Sequence, residues 1–355
     1  MSERIDLEQE APEEGVDLLE PLWRIRLRLF WKSTKRNWKM FAANKIGLLG
    51  LSIIVVFAIM GLLHPFLMGN VWDPAIYDPV SGYDAPTTEY LIVEEVTDPT
   101  TEMELSEAQL RANPFVKVGE TILIPQQPAP PSRNHWLGTD PLGRDVLSQL
   151  MFSTRAAFAM GAIAAITAVV IATTVGSIAA YYGGWIDNVL MRFSDLILLV
   201  PLIPVLIVVG ALFNLTLPLL GTLIGILSGF GGTAIVLKSQ ALQVTVKPFV
   251  DAARVAGGNN RHIILRHIIP NVLPLSFLYM MFTVTEAVSL EATLSFFGLL
   301  NIPMSWGIMI NTAQTQGFLR SGLEFWWLLI PAGMAVTLLA AAFFLVGRAM
   351  DEVVN

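Results

Sequence analysis

Residues 196–237 run for 42 positions without one charged side chain. About 20 mostly apolar residues already cross ~30 Å of hydrocarbon in a helix, so this stretch is too long for one crossing and too apolar for a soluble core. Asn214 and Pro218 lie at its middle and suit a tight turn, which divides it into spans at about 189–213 and 217–237. The same reading gives spans at 46–63, 156–182, 268–300 and 325–347, the fifth interrupted only by Glu286 and Glu291. The expected fold is an all-α integral membrane protein with six transmembrane helices. Composition agrees, with 54% hydrophobic and 14% charged residues and a mean hydropathy of +0.60.

Lys and Arg orient the spans, because short cytoplasmic flanks retain them. Nine precede the first span, and an inside N-terminus gathers sixteen of the 22 on that side. Both termini are therefore expected in the cytoplasm of a cell-membrane protein. The organisation is a tail at 1–45, a first span at 46–67, an extracytoplasmic segment at 68–155, a core at 156–350 with a cytoplasmic loop at 239–270, and a tail at 351–355. The net charge of -7 misleads, since eight acids precede Pro21 and eleven lie from Asp73 to Glu120. The first 22 residues lack the apolar region of a signal peptide, so the first span is expected to direct insertion. In the external segment, VKVGETILIP alternates apolar and polar residues before PQQPAPP, which suggests one or two short strands and a polyproline-like spacer. The basic, tryptophan-rich stretch 23–39 reads either as an amphipathic helix on the cytoplasmic leaflet or as a flank that only fixes topology. Nucleic-acid binding is disfavoured, as no second basic patch accompanies it.

No catalytic residue, cofactor or metal site is expected. Zero cysteines exclude disulfides and thiolate chemistry, and neither a GxxxxGK[ST] phosphate loop nor HExxH occurs. His64 and His135 are isolated. His262 and His267 are five apart, one residue off the i, i+4 spacing of a shared helical face, and read as polar residues on a solvated helix. GFGG at 229–232 lies inside an apolar span and suggests a close helix contact or local unwinding. Arg192 and Asp195 are expected to pair across one turn. Glu286 and Glu291 are candidates for lining a pore or meeting substrate, the alternative being a hydrogen-bonded structural role. An intramembrane serine enzyme would need a histidine central in a span, and none is present.

The most informative stretch is VKPFVDAARVAGGNNRHIILRHIIPNVLP, between spans four and five. Pro248 suits the first turn of a short helix that Gly257 and Gly258 stop, and a second helix is expected from Asn260 to Ile269, ended by Pro270. Asp251, Ala252, Ala253, three residues, Gly257, nine residues, then His267, Ile268, Ile269 and Pro270 resemble the EAA-x3-G-x9-I-x-L-P loop of ABC importer permease subunits. Asp251, His267 and Ile269 replace its Glu, Ile and Leu. HWLGTDPLGRDVLSQL at 135–150, with Gly138, Thr139, Asp140, Gly143, Arg144 and Asp145, resembles the external signature of oligopeptide and dipeptide permease C-type subunits. LEATLSFFGL at 290–299, followed by Trp306 and Gly307, resembles another of their motifs. From the residues alone, Asp140, Arg144 and Asp145 suit a local ion pair capping a helix near Arg144, ahead of direct substrate contact.

The resemblance implies a type I importer permease fold. It makes 251–257 a coupling helix and assigns Asp251, Ala252, Ala253, Gly257, His267 and Pro270 to ATPase coupling. It further implies a homologous B-type permease subunit, two ATP-binding subunits that carry ATP and Mg, and an extracytoplasmic solute-binding protein. Di- or oligopeptides are the implied substrates, with oligosaccharides or nickel as alternatives. A secondary transporter or channel is the rival of another class, and it would need internal repeats and its own coupling-ion site.

Overall fold

The computed structural model describes residues 22–91 and 121–354. The basic stretch forms helix α1 (Leu22–Ala43), which presents Trp31 and Trp38 to the surroundings. Asn44 accepts from the backbone N–H groups of Ile46 and Gly47 and so starts α2 (Lys45–Asn70). A short α3 (Pro74–Tyr77) leads to a hairpin in which β1 (Thr87–Leu91) pairs antiparallel with β2 (Thr121–Pro125), Thr87 opposite Pro125. Only 121–125 of the expected strand pattern falls within the described residues.

Helix α4 (Val146–Tyr182) organises everything that follows. Its 37 residues extend about 55 Å, well beyond the hydrocarbon thickness. The boundary expected at residue 155 therefore falls inside one continuous helix, because Asp145 caps it eleven residues before the apolar run begins. The next elements are α5 (Gly184–Leu199), α6 (Leu202–Leu212), α7 (Leu217–Phe230) and α8 (Gly232–Thr245). The third and fourth spans, expected at about 189–213 and 217–237, are each broken. Helices α5 and α6 meet at 78° across Val200 and Pro201, and α7 and α8 at 46° across Gly231. Pro201 cannot donate to the preceding turn, and Gly231 is the unwound point inside GFGG.

Lipid offers apolar helices no hydrophobic reason to associate, so close packing must hold them together. Gly221, Gly225 and Gly229 recur every four residues along α7, and a Cβ at each would lie 2.6–3.0 Å from the carbonyl oxygens of Met160, Ala164 and Ala168 on α4. Their hydrogens alone permit the approach.

Beyond α8 lie α9 (Pro248–Val255), α10 (Asn260–Ile263), a π-helical turn (Ile264–Ile268) and α11 (Ile269–Phe296). Pro270 was expected to end a helix, yet the chain runs helically from Asn260 to Phe296. Pro270 sits in the first turn of α11, where its missing N–H is tolerated, and the wide turn before it relieves the ring's clash with the preceding carbonyl. Helix α12 (Trp306–Thr315) is locked down by Trp306, which is buried, donates from Nε1 to Leu150 O at 3.1 Å and meets Phe57 edge-on. Helix α13 (Trp326–Val354) packs on α2 and α11. Among the described residues four helices are long and apolar enough to cross a membrane, and the two bent pairs raise the number to six if each is one span.

Candidate functional site

Helix α9 stands out from the helical body on a narrow footing. Val250 is buried at its base, while Phe249 and Val255 are 39% and 89% exposed. Asp251 and Arg254 form an open pair at 3.0 Å, and Ala252 and Ala253 add little bulk. Gly257 ends the protrusion at φ +85°, and a Cβ there would meet nothing, so only the backbone conformation demands glycine. Two contacts tie this loop to the end of α4: Tyr181 donates its hydroxyl to Asn260 Oδ1 at 2.8 Å, and the Arg254 guanidinium lies 5.9 Å from the Tyr181 ring centre. Nothing in the sequence reading singled out Tyr181. Its one signal is an aromatic pair closing an apolar run.

The histidine spacing needs correction. The π turn takes up the extra residue between His262 and His267, so their rings come to 5.6 Å, and His267 also lies 6.1 Å from the Phe249 ring. His267 and Pro270 thus sit behind the loop rather than on its tip.

At the other end of α4, the GTD-x-x-GRD residues make a closed polar knot. Asp140 Oδ2 accepts from Arg144 Nε at 2.7 Å and from Gln149 Nε2 at 2.9 Å, and Arg144 Nη2 lies 2.6 Å away. Asp145 Oδ1 receives the Ser148 N–H, while Oδ2 lies 2.8 Å from His135 Nδ1. The other His135 nitrogen meets Asp84 Oδ2 at 2.9 Å. The hydrogen bond to Asp145, aided by that to Asp84, holds the imidazole above its ordinary pKa although burial opposes it. Thr139 accepts from Ala129 N and donates to Gln127 Oε1, while Trp327 Nε1 reaches its carbonyl. Gly138 and Gly143 have φ of +73° and +80°, and a Cβ on Gly143 would strike the Tyr83 ring. All four polar side chains, Thr139, Asp140, Arg144 and Asp145, are buried, which leaves none facing a ligand. Tyr77 and Asp84, which complete the knot, went unnoticed in the sequence because they join it from far along the chain.

The two span carboxylates are placed differently. Glu291 is 2% exposed and accepts from Ser295 Oγ at 2.6 Å, so it does not line an open surface, contrary to its candidacy for the pore. Glu286 is exposed, accepts from Ser228 Oγ at 2.9 Å and borders a cleft of about 460 Å³. Arg192 and Asp195 do not pair among the described residues. A separate bridge from Lys238 to Asp187, at 2.5 Å, joins α8 to α5. His64, expected beyond the first span, lies within α2, buried and 3.2 Å from Ser148 Oγ.

The dipeptide transport system permease protein DppC of Bacillus subtilis is 27% identical over 326 residues, covering 91% of this chain and 85% of that protein. The glutathione transport system permease protein GsiD of Pectobacterium atrosepticum is 30% identical over 227 residues, covering 63% and 73%. The oligopeptide transport system permease protein OppC of Mycobacterium tuberculosis is 32% identical over 219 residues, covering 60% and 73%. A family described as the binding-protein-dependent transport system inner membrane component matches residues 172–355, more than half of the chain, from within α4 through the protruding loop to α13. With its several apolar helices the molecule is a multi-pass membrane protein and a transport component, and it belongs to the family of binding-protein-dependent transport system inner membrane components.

Proposed function

We infer that this chain is a permease subunit of a peptide importer and that α9 is the surface on which a separate ATP-hydrolysing subunit acts. The protruding α9 carries this reading. An 89% exposed valine and a half-open phenylalanine beside a small-residue patch form an apolar tip fit for a partner's groove. The peptide assignment rests on relatives whose names specify dipeptides, oligopeptides and glutathione, itself a tripeptide. In this account α9 and both termini face the cytoplasm, ATP and Mg stay on the ATPase, a B-type permease completes the pore, and a solute-binding protein presents substrate at the other face. Asp251, Ala252, Ala253 and Gly257 shape the contact, while His267 and Pro270 support it from behind. ATPase closure would move α9, and Tyr181 would pass that movement to α4, a helix long enough to carry it across the bilayer.

Co-purification tests the reading. The tagged chain, expressed with its ATPase and B-type partner, should retain ATP-hydrolysing activity. Val255→Asp should lose most of it at unchanged membrane yield, because an exposed position tolerates the change within about 0.5 kcal/mol. Retention of the ATPase by Val255→Asp together with Phe249→Asp would overturn α9 as the docking surface.

A further inference from the structure

We propose that the cleft beside Glu286 is a station on the translocation path that holds the free ammonium end of a peptide, an inference that rests on the peptide-importer reading above. Three observations converge there.

The first is an open charge. Glu286 lies near the middle of α11, and a charged side chain at such depth costs about 2.5 kcal/mol or more unless it meets water or a partner. Glu291, five residues on, is sealed among its neighbours with Ser295 Oγ as a donor and is closed to any ligand. Glu286 has only the neutral Ser228 hydroxyl, and no cation stands within ion-pair distance among the described residues. The second is the backbone. Val200 and Leu202 flank the 78° break and Gly231 lies at the 46° break, and all three line this one cleft. Interrupted helices at membrane depth persist only within protein or beside a watered cavity, since their freed N–H and C=O groups need partners. Two breaks and a bare carboxylate at one place mark that cavity as wet.

The third observation selects the ligand. Among the described residues that line the cleft, Glu286 is the only charged side chain, in a lining otherwise dominated by Ile, Leu and Val, with Ser228, Thr233 and Tyr279 as its other polar groups. A divalent ion asks for more donors than one carboxylate and a few hydroxyls, and the described residues contain no group of three His, Asp or Glu able to hold a metal. A neutral sugar would leave the carboxylate without a counter-charge. An ammonium satisfies it with charge-assisted hydrogen bonds, and the apolar wall accommodates the first side chain. A volume of about 460 Å³ suits one end of a peptide rather than a long chain, so the cleft reads the terminus and ignores the rest.

The test compares uptake of trialanine and N-acetyl-trialanine by the complete complex in proteoliposomes. The ratio of the two rates in each variant is divided by the wild-type ratio, which cancels the selectivity of the binding protein. Glu286→Gln should lower this quotient about tenfold while basal ATP hydrolysis persists, and Glu286→Asp should restore most of it. Ser228→Ala should lower it less, since the carboxylate remains. A quotient near one for Glu286→Gln, with uptake either unchanged or reduced equally for both peptides, would overturn the site while leaving the importer reading standing. Should Glu286→Gln fail to assemble, Ser228→Ala carries the test, and a quotient of one for that variant would overturn the site equally. A wild-type complex that moves neither peptide would overturn the peptide assignment and this site with it.

Discussion

The two ends of α4 are built on opposite principles. At Asp145 the helix begins inside a knot of buried charges, where Asp140, Arg144, Asp145 and His135 satisfy one another and Asp84 ties in the segment before the hairpin. At Tyr181 it ends with one hydroxyl hydrogen bond and one cation over a ring, both on a loop whose apolar tip is bare. Charges in a buried network are costly to leave unpaired, so the first end is fixed. Contacts that are exposed and few are cheap to rearrange, so the second end is suited to be moved.

Arg144→Ala should have the largest effect on this contrast. It strands the Asp140 carboxylate, and the loss of about 3–5 kcal/mol should appear as a steep fall in assembled yield, with little change in transport per assembled complex. Normal yield with altered substrate preference would mean that the knot contacts substrate instead. Next comes pH. Because the folded-state pKa of His135 is raised, its stabilisation is fully present below the ordinary value of about 6.5 and is lost as pH rises through the raised value. Limited proteolysis of the segment around Asp84 should therefore quicken toward alkaline pH, and His135→Gln should flatten the profile. At the Tyr181 end, Gly257→Val introduces strain of about 1–3 kcal/mol at a left-handed position. It should abolish transport and ATPase retention at near-normal yield, and full transport would remove the glycine's role. Tyr181→Phe is the mildest change, deleting one hydrogen bond worth about 1 kcal/mol while keeping the ring under Arg254. It should slow transport without releasing the ATPase.

How much of this was legible depends on the range of the interaction. Uncharged length located the apolar segments because hydrocarbon imposes it residue by residue, and the Asp145 cap and Asp140–Arg144 pair were readable because their partners lie within four residues. The break at Pro201 was hidden, since Pro204 carries the same local signal yet interrupts nothing, whereas the break at Gly231 falls within the GFGG that had suggested a close contact or unwinding. Arg192 and Asp195 had ideal spacing yet do not pair among the described residues, while Lys238 and Asp187, 51 residues apart, join two helices in a bridge that no local spacing announces. The π turn was invisible to an argument that assumed α-helical periodicity, so His262 and His267 were separated on paper and adjacent in space. Glu286 and Glu291 looked alike in sequence, and only the packing around them distinguishes an open carboxylate from a sealed one.

The contrast between the ends of α4 stands or falls on what touches the bare tip. The native chain contains no cysteine, so a lone cysteine at Val255 or at Leu142 reports its own surroundings. With a short reagent that joins a thiol-reactive end to a photoreactive one, in the assembled complex, Val255→Cys should crosslink to the ATP-hydrolysing subunit, and more strongly when nucleotide closes it. Leu142→Cys, 49% exposed beside the knot, should give no such product. Crosslinking of the ATPase to Leu142→Cys and not to Val255→Cys would contradict both the orientation and the division of labour along α4.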